Sequence, residues 1–274
     1  MQTKQSPLSR ITGVLTLGWS DSPGGRKLLR RCVSQSARLA LRARSRPFPM
    51  GLFRSIAVVS PHPDDETLGC GGTLALLTRG RAEVHVLFVT DGSASHPHHP
   101  RFTGGQIAEM RKAEARAATG ALGLSHDQIS FVGGPDGGLS GLDSASSSAI
   151  ATKMAEVLES VAPDAVLLPL GRDGSSDHNA SFVLVQMALQ LKGLRPRVLE
   201  FPIWSWRNPL IQLRPLLTSG AVWRTDIGPV LDRKVAAIEA YASQIRPIPP
   251  DALPVLSPEF TSEFRVAEEY FYER

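Results

Sequence analysis

The hexapeptide Pro61-His62-Pro63-Asp64-Asp65-Glu66 gathers one imidazole and three carboxylates into a single short segment. Prolines fix the backbone on either side of His62, and a stiff loop suits a metal site because its ligands need little further ordering. His62 and Asp65, three residues apart, can converge on one ion as a nitrogen and an oxygen ligand, leaving Asp64 beside the ion to handle protons. Acidic residues at a helix N-terminus also answer to capping and the helix dipole, whatever their function. Capping accounts for Asp65 or Glu66, but not for a histidine bracketed by prolines.

A catalytic zinc site needs a third protein ligand and an open position for water. The segment Gly171-Arg172-Asp173-Gly174-Ser175-Ser176-Asp177-His178-Asn179 offers His178, with Asp177 beside it as a group that could orient a ligand. Two imidazoles and a carboxylate form a ligand set used for catalytic Zn2+, although Fe2+ and other divalent ions accept the same donors. Trp204 and Trp206, two apart on an extended segment, would share a face, where a ring stacks on a sugar or packs in the core. Gly69-Cys70-Gly71-Gly72 falls inside a helix after the acidic motif, so its glycines are read as close-packing positions rather than a dinucleotide loop.

The elements that must hold these loops are visible in the apolar pattern. From Met50 onward, short β-branched runs alternate with helical periodicity, which predicts an α/β fold. Strands are expected at 55–60, 83–90, 128–132, 165–170 and 197–201, and helices at 107–122, 150–161, 182–191 and 229–244. In open sheets of this type ligands bind beyond the carboxyl ends of strands, and both motifs fall there. Five prolines between Arg246 and Pro258 predict an irregular strap.

With 42% hydrophobic residues among 274, the chain can bury a substantial core, which excludes a disordered or fibrous protein. Residues 1–50 hold ten Lys or Arg against Asp21 alone, a net +9, so residues 51–274 carry −5. The basic character therefore belongs to an N-terminal extension (1–50) preceding one catalytic domain (51–274). Its basic residues from Arg26 to Arg46 interleave with Leu28, Leu29, Val33, Leu39 and Leu41, predicting a basic amphipathic helix. Such a helix docks on the body or lies on an anionic membrane or acidic protein partner. The apolar patch at 11–19 lacks a signal-peptide cleavage pattern. Cys32 and Cys70 have no zinc-knuckle spacing, and no run of 18 apolar residues occurs. The expectation is a soluble cytoplasmic protein without disulfides, with no nucleic-acid partner.

Most of residues 51–274 resemble the PIG-L (LmbE-like) zinc-dependent N-acetylglucosaminyl de-N-acetylases. The likeness rests on Pro61 to Glu66, Thr90-Asp91-Gly92, Arg111-Lys112-Ala113-Glu114, Pro135-Asp136-Gly137, Phe201-Pro202-Ile203-Trp204, and Lys234 with Ser243-Gln244. It implies a three-layer Rossmann-like fold with a mainly parallel sheet, zinc on His62, Asp65 and His178, Asp64 as general base, and an amino-sugar conjugate oriented by Arg111 and Asp136. The family's His-x-Asp-His places an oxyanion-assisting histidine where Ser175 stands here, beside a matching Asp177 and His178. A serine hydroxyl donates a hydrogen bond but carries no charge, and charge-assisted bonds are roughly twice as strong. His96, His98 and His99 would supply an imidazole instead if their loop folds over the site, with His96 and Trp204 as candidate sugar contacts. The implied reaction is hydrolysis of an N-acetyl amide by metal-activated water. The alternative is a weak or inactive relative that binds sugar or metal.

Overall fold

The computed structural model describes residues 23–207 and 220–274. The apolar patch at 11–19 and Asp21 lie outside them.

A strand buried on both faces must send alternate residues into different layers. Strand β2 (Ser55–Ser60) sends Ile56 and Val58 into one core and Ala57 and Val59 into the other, and β3 (Glu83–Thr90) and β5 (Ala165–Pro169) repeat the division. Helices α2 (Asp65–Arg79), α3 (Gly104–Leu122) and α6 (Leu231–Ala240) cover the first face. On the second lie α4 (Ser144–Val161) and α5 (Ser176–Lys192). In α4 the inward residues are Ile150, Ala151, Met154, Ala155 and Leu158, the three-and-four spacing of a single apolar stripe.

With β1 (Arg46–Pro47), β4 (Ile129–Gly134), β6 (Arg197–Phe201), β7 (Ala221–Asp226) and β8 (Glu268–Glu273), the sheet has the order β1-β7-β8-β6-β5-β2-β3-β4. The run from β6 to β4 is parallel, whereas β8 is antiparallel to both of its neighbours. The result is the expected three-layer, mainly parallel α/β fold.

Several element boundaries differ from the sequence expectation. The fourth strand begins at Ile129 because residues 126–128 form a 3-10 turn. The helix expected at 182–191 starts earlier, at Ser176, and so takes His178 into its first turn. The helix expected at 229–244 breaks at Tyr241 and resumes as the short α7 (Ala242–Ile245).

Helix α1 (Pro23–Arg44) lies against the body, with Ala37 and Leu41 buried. Ser34 Oγ donates to Glu263 at 2.8 Å, Arg38 pairs with Glu263 at 3.0 Å, and Arg42 pairs with Glu268 at 2.9 Å. Among the described residues no helix is long and apolar enough to cross a membrane. The glycines of α2 do permit close approach: a Cβ on Gly69 would collide with the Phe201 ring, and one on Gly72 would stand 2.5 Å from Ile227. From Arg246 the chain runs without regular elements to α8 (Pro258–Ser262).

Candidate metal centre

The loop after β2 and the first turn of α5 bring His62, Asp65 and His178 together. The ring centroids of His62 and His178 are 5.4 Å apart. Asp65 Oδ2 lies 3.1 Å from His62 Nδ1 and 3.1 Å from His178 Nε2, and one donor atom from each residue falls within 4.8 Å of the others. His178 Nε2 is buried, yet that close approach to Asp65 is not aligned as a hydrogen bond. An orphaned nitrogen and a carboxylate aimed at a common point fit a divalent cation bound there.

Each imidazole is fixed through its other nitrogen. His62 Nε2 faces Asp177 Oδ2 at 3.3 Å and Asp136 Oδ1 at 3.4 Å. His178 Nδ1 faces Asp173 Oδ2 at 3.1 Å. Asp177 therefore orients the distant histidine and not its sequence neighbour. Asp173 was not singled out from the sequence. Its carboxylate also accepts backbone N–H groups from Ile203, Trp204 at 2.8 Å and Ser205 at 2.9 Å, which ties the His178 loop to the end of β6.

Burial alone would drive protons off both histidines, but the carboxylates outweigh it. The His62 pKa is raised well above the ordinary imidazole range by Asp177 and Asp65, and that of His178 is raised to about 9 by Asp65 and Asp173. Burial also pushes the Asp65 carboxyl up, but the two imidazoles more than reverse this and hold it far below the usual range. The three donors thus form a pocket of negative potential that favours positive charge, either as protons or as a metal.

Asp64 stands apart from this cluster. Its φ of +134° is a backbone conformation that L-residues rarely adopt, which costs on the order of 1–3 kcal/mol and persists only where the surroundings enforce it. The Asp64 N–H donates to Glu66 Oε2 at 3.1 Å, and its Oδ2 accepts from Arg111 Nη2 at 3.0 Å. Burial raises its pKa to about 7, against the opposing pull of Arg111. A carboxyl poised near neutrality beside a metal pocket can both accept and return a proton.

The other residues singled out in the sequence take the following places. Arg111 is only 1% exposed; its guanidinium reaches Asp64, the Pro63 carbonyl and Glu114, which places it to position Asp64. Gly92, at φ +70°, makes room for it, since a Cβ there would lie 2.9 Å from Arg111 Nε. Ser175 is the N-cap of α5, with Oγ accepting from the His178 N–H at 3.4 Å. Trp204 and Trp206 lie on a 3-10 turn, Trp204–Arg207, rather than on a strand continuation. Trp204, half-buried, stacks on Phe260 at 4.7 Å, and Trp206, buried, lies under the Arg38 guanidinium at 3.8 Å. His96 and His99 are buried in the loop after Gly92, with ring centroids 6.2 Å apart. Among the described residues neither hydrogen-bonds to His62, Asp64 or His178; His96 Nδ1 pairs with Ser95 Oγ at 3.1 Å, and His99 Nδ1 accepts the Arg101 N–H at 3.2 Å. Asp136 instead joins that loop to the site: its Oδ2 accepts from the Ala94 N–H at 2.7 Å.

The GlcNAc-PI de-N-acetylase (PIG-L) family model matches residues 57–189, the span that carries both ligand loops. A 1D-myo-inositol 2-acetamido-2-deoxy-alpha-D-glucopyranoside deacetylase from Rhodococcus opacus (strain B4) is 26% identical over 79% of this chain and 90% of its own length. Among solved structures, the conserved protein TT1542 from Thermus thermophilus is 30% identical with a TM-score of 0.52, covering 69% of this chain and 79% of its own. GalB, the 4-carboxy-2-hydroxymuconate hydratase from Pseudomonas putida KT2440, is 25% identical with a TM-score of 0.55, covering 70% of this chain and 80% of its own. The same scaffold thus carries more than one reaction that consumes water. On the family match, the fold and the convergence of the two loops, this chain belongs to the PIG-L (LmbE-like) family.

Proposed function

We propose that the chain is a metal-dependent hydrolase that removes the acetyl group from an N-acetylated amino sugar. The observation that carries this reading is the pairing of a His62–Asp65–His178 donor set with an adjacent carboxylate, Asp64, that is not among the donors. A divalent cation on that set, with zinc the proposed ion, supplies electrophilic polarisation of the acetyl carbonyl and acidifies water. Asp64 receives the proton of the attacking water. Arg111 keeps the Asp64 carboxylate in place and restrains the rise in pKa that burial produces. Once the acetyl carbon is tetrahedral, Asp64 returns the proton to the departing amine, so one carboxyl serves both halves of the cycle. Asp177 and Asp136 hold His62, and Asp173 holds His178.

The substrate class follows the Rhodococcus relative, whose name specifies a 2-acetamido sugar joined to inositol. A second reading, a weak or inactive sugar- or metal-binding relative, draws on Ser175, which supplies no imidazolium and caps a helix. The decisive measurement is acetate release from N-acetylglucosaminyl conjugates by the zinc-loaded protein, before and after chelation. Zinc-dependent release of acetate is the expected result. Tight zinc binding with no release across such conjugates would favour the second reading.

A further inference from the structure

The break at Tyr241 separates α6 from α7 and lies well beyond the residues matched by the family model. Two hydrogen-bonded arms leave this break and end on the same residue. In the first, Tyr241 OH donates to Glu66 Oε1 at 2.6 Å, and Glu66 Oε2 accepts the Asp64 N–H at 3.1 Å. Thr67 Oγ1 also donates to Glu66 Oε1, at 2.7 Å, so the carboxylate is fixed from several sides. In the second, Ser243 donates to Glu114 through both N–H and Oγ, each at 2.7 Å. Glu114 then receives Arg111 Nη1 at 3.2 Å, and Arg111 Nη2 reaches Asp64 Oδ2 at 3.0 Å. The first arm holds the main chain of Asp64 and the second holds its side chain. The Tyr241 ring also flanks the Arg111 guanidinium at 5.2 Å, which links the two.

A continuous helix through 241 would give Tyr241 and Ser243 different directions. At ψ +54° the Tyr241 backbone leaves the helical region, and the hydroxyl and Ser243 are presented to two different carboxylates. Every group in both arms is buried or nearly so, and apart from Arg111 Nε each of the polar atoms named finds a partner, the condition under which a buried polar chain is worth most. The positive φ of Asp64 is the kind of conformation that must be enforced by its surroundings.

We infer that Tyr241 and Ser243 are positioning residues for Asp64, acting through Glu66 on its backbone and through Glu114 and Arg111 on its carboxylate. The inference deepens the hydrolase reading, because it takes Asp64 to be the proton-transfer group.

Tyr241→Phe removes one hydroxyl and keeps the ring. The expected kinetic result is a kcat lower by about 10- to 100-fold with KM and metal content unchanged, the scale on which small misplacements of a catalytic group act. A purely structural role would instead lower thermal stability and active fraction together. The crystal structures of the wild type and of Tyr241→Phe supply an arm that does not depend on activity: in the variant Asp64 leaves its positive φ or loses its contact with Arg111. Ser243→Ala should move the Arg111 and Asp64 side chains while leaving the Asp64 backbone in place. An Asp64 superimposable on wild type in both variants overturns the inference, as does an unchanged kcat in both. If the wild type releases no acetate, the hydrolase reading fails, and the crystallographic comparison alone decides whether these residues position Asp64.

Discussion

The loop after β2 carries His62, Asp64 and Asp65 within four residues, whereas the segment from Gly171 to His178 carries one donor histidine. The second segment contributes orientation instead. Asp173 and Asp177 both come from it and serve different imidazoles, one on each loop. It is also anchored at its start, where the Gly171 N–H donates to Glu200 Oε1 at 2.6 Å, and Glu200 pairs with Arg274 of the C-terminal segment. The first loop is stiffened by its own prolines; the second is held by β6 and the end of the chain. Chemistry is thus concentrated in one loop, whereas most of the aligning groups lie outside it, in the second segment and in partners far along the chain.

The largest effects should separate proton transfer from metal retention. Asp64→Asn keeps the shape of the first loop and is expected to bind metal near one equivalent while losing about 10²–10⁴-fold in turnover, the usual contribution of a general base. His178→Ala removes a donor and should lose most of its metal, as elemental analysis of the purified protein would show. If Asp64→Asn kept the wild-type rate, Asp64 would no longer stand as the base.

The orienting carboxylates should give intermediate effects. Loss of such an outer partner typically costs 10- to 100-fold in metal affinity, so Asp173→Asn and Asp177→Asn are each expected to show a loss of about that size by competition with a chelator. Asp173→Asn should also destabilise the fold more. Its buried carboxylate accepts three backbone N–H groups, and each buried donor left without an acceptor costs about 1–3 kcal/mol. Equal chemical-denaturation midpoints for the two variants would remove this asymmetry.

The raised histidine pKa values give a pH dependence with a definite sign. In the metal-free protein His178 titrates at about 9 against an ordinary value of 6.5, so the folded state binds its proton more tightly than the unfolded chain. That contribution to stability is complete below 6.5 and is lost as pH rises through about 9. A metal takes the place of the proton, so the loaded protein should not show this loss. Urea midpoints with and without chelator are expected to differ more at pH 9.5 than at pH 6.

Local rules made the first loop legible. Proline stiffness, a three-residue spacing and position after a strand all lie within one short window, and His62, Asp64 and Asp65 take the geometry that window implies. The parallel core was legible for the same reason, since β2, β3 and β6 end where their apolar runs end. What the sequence did not disclose was set by partners far along the chain. Strands β7 and β8 have mixed patterns, and β8 owes its buried place between β6 and β7 to tertiary pairing. The contact of Arg111 with Asp64 was not legible because its motif lies on an ordinary helix face, while the contact joins residues 47 positions apart beside the Tyr241 ring. Asp173 stood in the same loop as His178, five residues before it, but no spacing rule distinguishes it from Asp177.

Ser175 gives the smallest expected effect and the finest test of the division between the loops. Its hydroxyl caps α5 through a long bond of 3.4 Å to the His178 N–H, so Ser175→Ala should cost less than a strong cap would, about 0.5–1 kcal/mol. For a domain of this size that corresponds to a fall of roughly 1–4 °C in melting temperature. If Ser175 does no more than hold the first turn of the helix, metal affinity and kcat stay near wild type, because Asp173 still fixes the ring of His178. A fall in kcat by more than about tenfold at unchanged metal affinity would instead assign the hydroxyl to the developing oxyanion, since loss of one such donor costs about 10²–10³-fold. In that event the second segment would contribute chemistry as well as alignment, and the contrast between the two loops would no longer hold.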